Sequence, residues 1–145
     1  ALGFTEKDVK TVVMPADSLS VIEPGATAAE VEDLCAATGF SRFPVGNDSG
    51  ELLGYVHIKD VLEPDDTRRN RALDSKWIRP VATVGSEDHL HPARERLQAT
   101  GAHMGRVVDT DGAILGVITL EDVLEELVGE IRDGSHNDVL SGEAG

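Results

Sequence analysis

The sequence predicts an α/β fold of two β-α-β-β-α repeats, each a short three-stranded sheet with helices, packed with pseudo-two-fold symmetry. Three observations support this prediction: an aliphatic composition, an internal repeat, and strand signals that alternate with helix signals. Of the 145 residues, 40% are hydrophobic but only 3% are aromatic. The core must therefore be built mainly from Val, Leu, Ile and Ala in layers, which favours alternating strands and helices over an aromatic-rich sandwich.

The internal repeat emerges when the sequence is shifted by 62 positions, which places Asp60–Glu63 on Asp122–Glu125. The same shift superposes three glycine pairs, namely Gly39 with Gly101, Gly50 with Gly112, and Gly54 with Gly116. Two copies of one supersecondary unit are therefore expected. We assign repeat 1 to residues 8–66, repeat 2 to residues 67–131, and a flexible tail to residues 132–145.

Upstream of this gap-free stretch the match continues more loosely. Val13-Met14-Pro15 faces Ile78-Arg79-Pro80 when three residues are allowed as an insertion.

The first half of repeat 1 has a strand signal followed by a helix signal. Ser18–Ile22 alternates apolar and polar residues like a short strand, and Pro24 with its following glycine turns the chain. Thr27 and Glu30 have the spacing of a capping box at a helix start. Gly39 stands where a left-handed residue ends such a helix.

The second half of repeat 1 predicts a hairpin and a short helix. Phe43–Gly46 and Leu52–Ile58 are typical strands, and Asn47–Gly50 is a turn between them. A helix begins near Lys59 and ends near Glu63-Pro64, where proline stops it.

Repeat 2 shows the same order of elements, with a longer last helix. Its predicted elements are a strand near Val81–Val84, a helix after His91-Pro92, strands around Arg106–Val108 and Ile114–Ile118, and the final helix. Between the repeats, Asp65–Ser75 is polar, so we interpret it as a linker whose arginines at 68, 69 and 71 are solvated. Trp77 is expected to pack at the start of repeat 2.

The final helix is predicted to have one apolar face, which it buries in its own core or against a partner subunit. That face comprises Leu120, Val123, Leu124, Leu127, Val128 and Ile131. We interpret Glu125, Glu126 and Glu130 as a solvated acidic surface rather than a site for divalent ions.

Charge and cysteine usage exclude several functional classes. The 27 acidic and 13 basic side chains give a net charge of −14, which disfavours nucleic acid and anionic lipid as partners.

Cys35 is the only cysteine, so an internal disulfide and a thiolate-rich zinc site are excluded. We expect this cysteine to be buried in a helix. His89-Leu-His91 lacks a third metal ligand. No apolar run reaches the roughly 20 residues of a membrane span, so direct membrane insertion is not expected.

The segment from Gly116 to Asp122 is the first candidate for binding chemistry. A strand gives way to a helix here, so backbone N–H groups and the helix dipole favour a phosphate. Thr119 could donate its hydroxyl to a phosphate oxygen, and Asp122 could accept from both ribose hydroxyls. An ordinary capping box without a ligand explains this spacing equally well. In repeat 1, His57 and Lys59 replace Thr119 and Glu121, so one site is complete and the other altered.

The loop Phe40-Ser41-Arg42-Phe43-Pro44 is the second candidate. A ring and the proline could pack on adenine, and backbone groups near Ser41 and Phe43 could read its edge. Arg42 supplies the local positive charge that the acidic chain otherwise lacks. Two alternatives remain open, in which Phe43 belongs to the core and Arg42 forms a surface ion pair.

The duplicated unit resembles a tandem pair of CBS (cystathionine β-synthase) domains, a Bateman module. The strings Gly39-Phe-Ser-Arg-Phe-Pro-Val45, Val56-His-Ile-Lys-Asp60 and Val117-Ile-Thr-Leu-Glu-Asp-Val-Leu-Glu-Glu-Leu-Val-Gly-Glu130 resemble the CorC/HlyC and cyclin M (CNNM) family, which is linked to magnesium and cobalt efflux. The resemblance implies an adenine-nucleotide ligand, ATP or AMP, with or without Mg²⁺. It also implies a homodimer, and a location at the cytoplasmic face of the cell membrane beside the membrane domain of a parent protein.

The resemblance further implies that the loop Phe40–Pro44 and the residues Ile118, Thr119 and Asp122 line one cleft. Where relatives usually have Met-Thr-Pro-Arg, this chain has Val13-Met14-Pro15-Ala16, which leaves ATP and AMP undecided. We expect a nucleotide-sensing regulatory module with no catalytic residues and no protein-held metal. The alternative is a ligand-free dimerisation module of the same membrane protein, held together by the last helix. An enzyme is not expected, because no nucleophile–base pair or phosphate-binding lysine motif is evident.

Overall fold

The computed structural model describes residues Glu6–Arg132, so the predicted tail lies outside the described residues except at its first position. The chain forms two compact units. The first-repeat unit is Asp17–Val81, and the second-repeat unit combines Ala1–Ala16 with Ala82–Gly145. These units group the chain by contacts, whereas the predicted boundaries at residues 66 and 67 follow the sequence duplication.

Six strands and five α-helices occur between Glu6 and Arg132, which confirms the α/β class. The strands are β1 Met14–Pro15, β2 Arg42–Gly46, β3 Leu52–His57, β4 Ala82–Gly85, β5 Met104–Val108 and β6 Ile114–Thr119. The helices are α1 Ala28–Thr38, α2 Ile58–Val61, α3 Asp66–Arg69, α4 Leu90–Thr100 and α5 Leu120–Arg132.

Helix α1 forms as its end signals predict. The Glu30 amide donates to Thr27 Oγ1 at 3.1 Å, and the Thr27 amide donates to Glu30 Oε1 at 3.3 Å. At the other end Gly39 has φ 75° and its amide donates to Cys35 O at 2.8 Å. Both predicted caps of the first helix are confirmed.

In the first-repeat unit, β2 and β3 form an antiparallel ribbon in which Arg42 lies opposite His57. The predicted turn is confirmed, because Asn47 Oδ1 accepts from the amides of Ser49 and Glu51 at 3.1 and 3.0 Å. The ribbon packs on α1 through an apolar cluster. Its buried members are Ile22, Ala26, Val31, Phe43, Val45, Val56 and Val61.

The second-repeat unit contains a four-stranded sheet in the order β1-β6-β5-β4, in which only β4 and β5 are parallel. Met104 lies opposite Thr119, which is the same register as Arg42 opposite His57 after the shift found in the sequence. The core of this unit lies between the sheet and the helices α4 and α5. Its buried members include Val9, Val84, Leu90, Leu97, Val107, Ile118, Val123 and Leu127.

The edge of each ribbon is covered by one of the two segments that the sequence alignment matched, residues 13–15 and residues 78–80. Met14 lies opposite Val117 in the second-repeat unit, while its counterpart Arg79 bridges to Tyr55 in the first-repeat unit. These segments pass so close that a Cβ on Gly54 would lie 2.5 Å from Arg79 O, and one on Gly116 would collide with Met14 O. Each ribbon therefore takes its edge segment from the first part of the other repeat.

Two strand expectations differ from the structure. The Ser18–Ile22 strand is wrong, since residues 16–18 form a 3₁₀ turn and only Ile22 pairs, in an isolated bridge to Val45. The sheets have four and two strands rather than three each, because β1 joins one sheet and the Ile22 and Arg79 segments form only isolated bridges in the other unit.

Three side-chain expectations are corrected as well. Arg69, expected to be solvated, is half-buried and donates to Glu32 through Nε and Nη2 at 3.3 and 3.1 Å. Trp77 is only partly packed, since it is 37% exposed, and the Lys76 ammonium lies 5.1 Å from its ring centre. Glu130, expected on a solvated surface, is only 4% exposed.

The apolar face of α5 is split rather than continuous. Val123 and Leu127 are buried in the core, whereas Leu124, Val128 and Ile131 are 37%, 44% and 47% exposed. Because the six apolar positions span a wide arc of the helix, the core covers only part of them.

Candidate functional site

The junction of β6 and α5 lies at the end of the second-repeat ribbon. Ile118 is fully buried in the core, which fixes the strand, while Thr119 and Asp122 are half-buried. The Asp122 amide donates to Thr119 Oγ1 at 3.2 Å, and the Leu120 amide donates to His103 O at 2.8 Å. Thr119 therefore caps the helix, and two of its first three amides already have acceptors.

The Asp122 side chain is nevertheless available as an acceptor. Within residues 6–132 its carboxylate has neither a hydrogen bond nor an ion pair. The Thr119 hydroxyl accepts from the Asp122 amide, so its own hydrogen remains to be donated. Capping thus leaves the Asp122 carboxylate and the Thr119 hydroxyl hydrogen available, whereas two of the first three helix amides are already bonded.

The corresponding junction of β3 and α2 in the first-repeat unit has the same backbone but a different chemistry. His57 replaces the threonine as cap, with Nδ1 accepting from the Lys59 amide at 3.1 Å. The carboxylate of Asp60 is engaged by Arg79, whose Nε and Nη2 lie 2.8 and 2.6 Å from Oδ2. The hydrogen bond to Asp60 raises the pKa of Arg79, so this pair stays charged.

Several cations surround this first-repeat junction. Partial burial lowers the pKa of His57 below 6.5, and the positive charge of Arg42 lowers it further, while Asp60 partly opposes the shift. The imidazole is therefore favoured in its neutral form.

Sequence reasoning missed Arg79 as a functional residue. The signal was present in the alignment of Met14 with Arg79, because these two positions differ in charge and lie over equivalent strands.

The loop before and within β2 presents fewer side chains than the sequence suggested. Phe43 is 0% exposed in the core, so the core alternative holds for its ring. Pro44 is also buried, and its carbonyl accepts from the Ile22 amide at 2.9 Å. Phe40 is 39% exposed and Ser41 is exposed, while Arg42 is half-buried. The accessible ring of this loop is therefore that of Phe40.

Each unit holds one half of the predicted site. The structure brings Thr119 and Asp122 together in the second-repeat unit, and it brings Phe40, Ser41 and Arg42 together in the first-repeat unit.

The weaker candidates gain no support from the structure. His89 and His91 are exposed at the start of α4, and no group of three or more His, Cys, Asp or Glu suited to a metal ion occurs in the described part of the chain. Cys35 is half-buried and packs against the first-repeat core. No helix between Glu6 and Arg132 is long and apolar enough to cross a membrane.

The family model of the CBS domain matches the chain twice, at residues 7–64 and 78–129. An uncharacterized protein of Mycobacterium tuberculosis is 38% identical over 141 residues, covering 94% of this chain and 41% of that protein. The magnesium and cobalt efflux protein CorC of Buchnera aphidicola is 30% identical over 133 residues, covering 91% of this chain and 46% of that protein. The chain thus spans less than half the length of these relatives.

Solved structures show the same fold. The CBS domain of a bacterial CNNM/CorC family Mg²⁺ transporter in complex with ATP has a TM-score of 0.74 and 28% identity, covering 85% of this chain and 88% of that chain. A hemolysin-like protein of Oenococcus oeni that contains a CBS domain has a TM-score of 0.75 and 28% identity, covering 84% of this chain and 90% of that one. The chain therefore belongs to the CBS domain family and is a tandem CBS pair of the kind found in CorC/CNNM-like transporters.

Proposed function

We propose that this CBS pair is a regulatory module that binds an adenine nucleotide, ATP or AMP, at the β6–α5 junction. The observation that carries the proposal is the contrast between two equivalent aspartates. The carboxylate of Asp122 has no partner among the described residues, whereas that of Asp60 is held by Arg79 at 2.6 Å. A carboxylate left half-buried and unpaired beside a hydroxyl is suited to a polar ligand.

We assign to each accessible residue the role that the family resemblance implies. Asp122 accepts hydrogen bonds from the ribose hydroxyls, and Thr119 donates its hydroxyl to a phosphate oxygen. The Phe40 ring stacks on adenine, and Arg42 offsets phosphate charge in a chain of net charge −14. Phe43, Pro44 and Ile118 are buried, so they shape the site through their backbone rather than through their side chains.

A Mg²⁺ ion would bind with the nucleotide rather than to the protein. Magnesium retains several waters and takes its remaining ligands from phosphate oxygens in many nucleotide complexes. The acidic chain gives this ion a further benefit, since it neutralises phosphate charge that the single Arg42 cannot balance.

The CBS assignment and the CorC relative point to a regulatory or transport-related module rather than an enzyme. That a related CBS domain has been solved with ATP supports the choice of ligand. We infer that the module acts at the cytoplasmic face of the membrane, as part of a CorC/CNNM-like divalent-cation transporter, and in contact with its membrane domain. A nucleotide regulates such a protein only if it binds one arrangement of the module more tightly than another.

Titration calorimetry with ATP and AMP, each with and without Mg²⁺, tests the ligand. Asp122→Asn keeps the size of the side chain but removes its charge, and we expect it to weaken binding by about tenfold or more, which is about 1.4 kcal/mol. Asp60→Asn is the matched control and is expected to bind like the wild type. Equal affinities of wild type and Asp122→Asn, or no binding by the wild type, would overturn the proposal.

Homodimerisation through α5 is the second candidate function, and it is favoured by the exposed side chains of Leu124, Val128 and Ile131. Val128→Asp is the appropriate variant, because the neighbouring Leu127 is buried and its substitution would destabilise the fold. Sedimentation should show a concentration-dependent dimer for the wild type and a weaker one for Val128→Asp. A dimer without any nucleotide-induced thermal shift would favour a purely structural module.

A further inference from the structure

The segment Lys7–Pro15, which we call the N-terminal strap, is bound along the second-repeat unit. At its start the Lys7 amide donates to Glu130 Oε1 at 3.1 Å, and Lys7 Nζ lies 2.6 Å from Glu126 Oε1. Glu130 is only 4% exposed. A buried carboxylate is retained at low cost only where donors reach it, so these contacts anchor the strap to the second half of α5.

The middle of the strap is built into the core. Val9 is 0% exposed, and its amide donates to Asp88 O at 3.0 Å. The Leu90 amide in turn donates to Lys7 O at 3.0 Å. Undocking the strap would therefore expose the Val9 side chain and break the two backbone hydrogen bonds next to the start of α4.

The end of the strap lies on the other element of the junction. Met14 and Pro15 form β1, paired with Val117 and Gly116 of β6. The strap thus contacts both β6, which ends at Thr119, and α5, which carries Asp122.

We propose that the strap is a positioning element for the β6–α5 junction, with Lys7 and Glu130 as positioning residues, and that strap docking and nucleotide binding stabilise each other. This inference rests on the proposed function, because it concerns regulation of the same site. The docked strap is expected to hold the angle between β6 and α5 that the nucleotide requires. Because coupling between two binding events is reciprocal, the free energy by which the strap favours nucleotide binding equals the free energy by which the nucleotide favours strap docking. A purely structural strap would contribute to folding without this reciprocity.

The test measures ATP affinity by calorimetry and hydrogen exchange at the Val9 and Leu90 amides. Glu130→Ala removes the anchor and touches neither Thr119 nor Asp122. We expect it to weaken ATP binding by about fivefold, and we expect ATP to slow exchange of both amides in the wild type by a similar factor. Glu125→Ala, exposed on the same helix, is the control and should change neither quantity.

Two results would overturn the inference. One is faster strap exchange in Glu130→Ala with unchanged ATP affinity; the other is strap exchange in the wild type that does not respond to bound ATP. If Glu130→Ala does not fold, Lys7→Met decides, because it removes the ion pair to Glu126 and keeps the backbone amide that donates to Glu130. We expect it to weaken ATP binding by about twofold, and unchanged affinity would refute the inference. Absence of ATP binding by the wild type would instead refute the proposed function, and this inference with it.

Discussion

The two strand–helix junctions of this molecule have the same backbone and opposite states of their aspartates. In each, a residue on the first ribbon strand lies opposite the helix cap, and an amide one residue after the cap donates to a carbonyl at 2.8 Å. Asp60 is nevertheless bound by Arg79, while Asp122 is unpaired within the described chain. The difference arises at the edge segments, where Arg79 covers one strand and Met14 the other.

This comparison shows that two copies of one fold can share a backbone and differ in the side chains at equivalent positions. The backbone of the repeat is preserved where both copies share local signals, namely the left-handed Gly39 and Gly101 and the turns held by Asn47 and Asp109. A single side chain on an edge segment, Arg79, then pairs with the aspartate of one junction, and the other aspartate has no such partner among the described residues. The helices differ too, since α2 has 4 residues and ends before Pro64, while α5 has 13; a longer helix offers a fuller dipole to an anion.

The largest effect is expected from filling the space beneath the edge segments. Gly54→Ala and Gly116→Ala would each place a Cβ against the carbonyl of Arg79 or Met14. Both should therefore destabilise the fold by about 2–3 kcal/mol in urea denaturation. Gly129→Ala is the control, because nothing lies within 4 Å of its added Cβ, and it should be neutral or slightly stabilising. If only one of the two glycine substitutions lowered the free energy of unfolding, the two edge segments would not be structurally equivalent.

The next effect tests whether the edge side chain controls the junction. Met14→Arg places on β1 the residue that its counterpart position has, so we expect the new guanidinium to pair with Asp122 and weaken ATP binding by about tenfold. Gln98→Arg adds the same charge at an exposed position of α4, outside the strap, and should bind ATP normally. Wild-type affinity in Met14→Arg, measured by calorimetry, would contradict the comparison.

A smaller effect is expected when the ion pair between Arg79 and Asp60 is removed. Arg79→Met frees Asp60, but the arginine is 48% exposed, so solvent screens the ion pair. We expect a loss of only about 0.5 kcal/mol in the free energy of unfolding. ATP stoichiometry should not change, because His57 and Lys59 still occupy the junction. A second equivalent of ATP bound by this variant would show that Arg79 alone keeps the junction closed.

The smallest effect concerns pH. The folded-state pKa of His57 is lowered below 6.5 by burial and by Arg42, so the unfolded state takes up a proton before the folded state does. The stability that the neutral imidazole contributes is present above pH 6.5 and is lost as the pH falls through the lowered folded pKa. His57→Thr should show a smaller drop in Tm between about pH 8 and about pH 5. Identical pH profiles of variant and wild type would contradict this assignment.

Much of the fold could be predicted from local sequence signals. Caps such as Thr27 with Gly39, and the turn at Asn47, depend on neighbouring residues and therefore appear directly in the sequence. The Ser18–Ile22 strand failed because pairing depends on partners elsewhere in the chain. The exchange of edge segments was likewise hidden, since the alignment of Met14 with Arg79 does not reveal which ribbon each one covers.

The candidate site was predictable to a lesser degree. Thr119 and Asp122 follow from the spacing at a strand end, whereas the burial of Phe43 and Glu130 depends on tertiary packing that periodicity cannot specify. Arg79 was missed because its role requires a contact with Asp60, which lies on another element.

The most direct test of the central claim is a crystal structure of the chain grown in saturating ATP with Mg²⁺. The account predicts one nucleotide per chain, with its ribose hydroxyls on the Asp122 carboxylate, a phosphate near Thr119, and Arg79 still bound to Asp60. A ribose on Asp60 with Arg79 displaced, or a saturated crystal with Asp122 free of nucleotide, would contradict it.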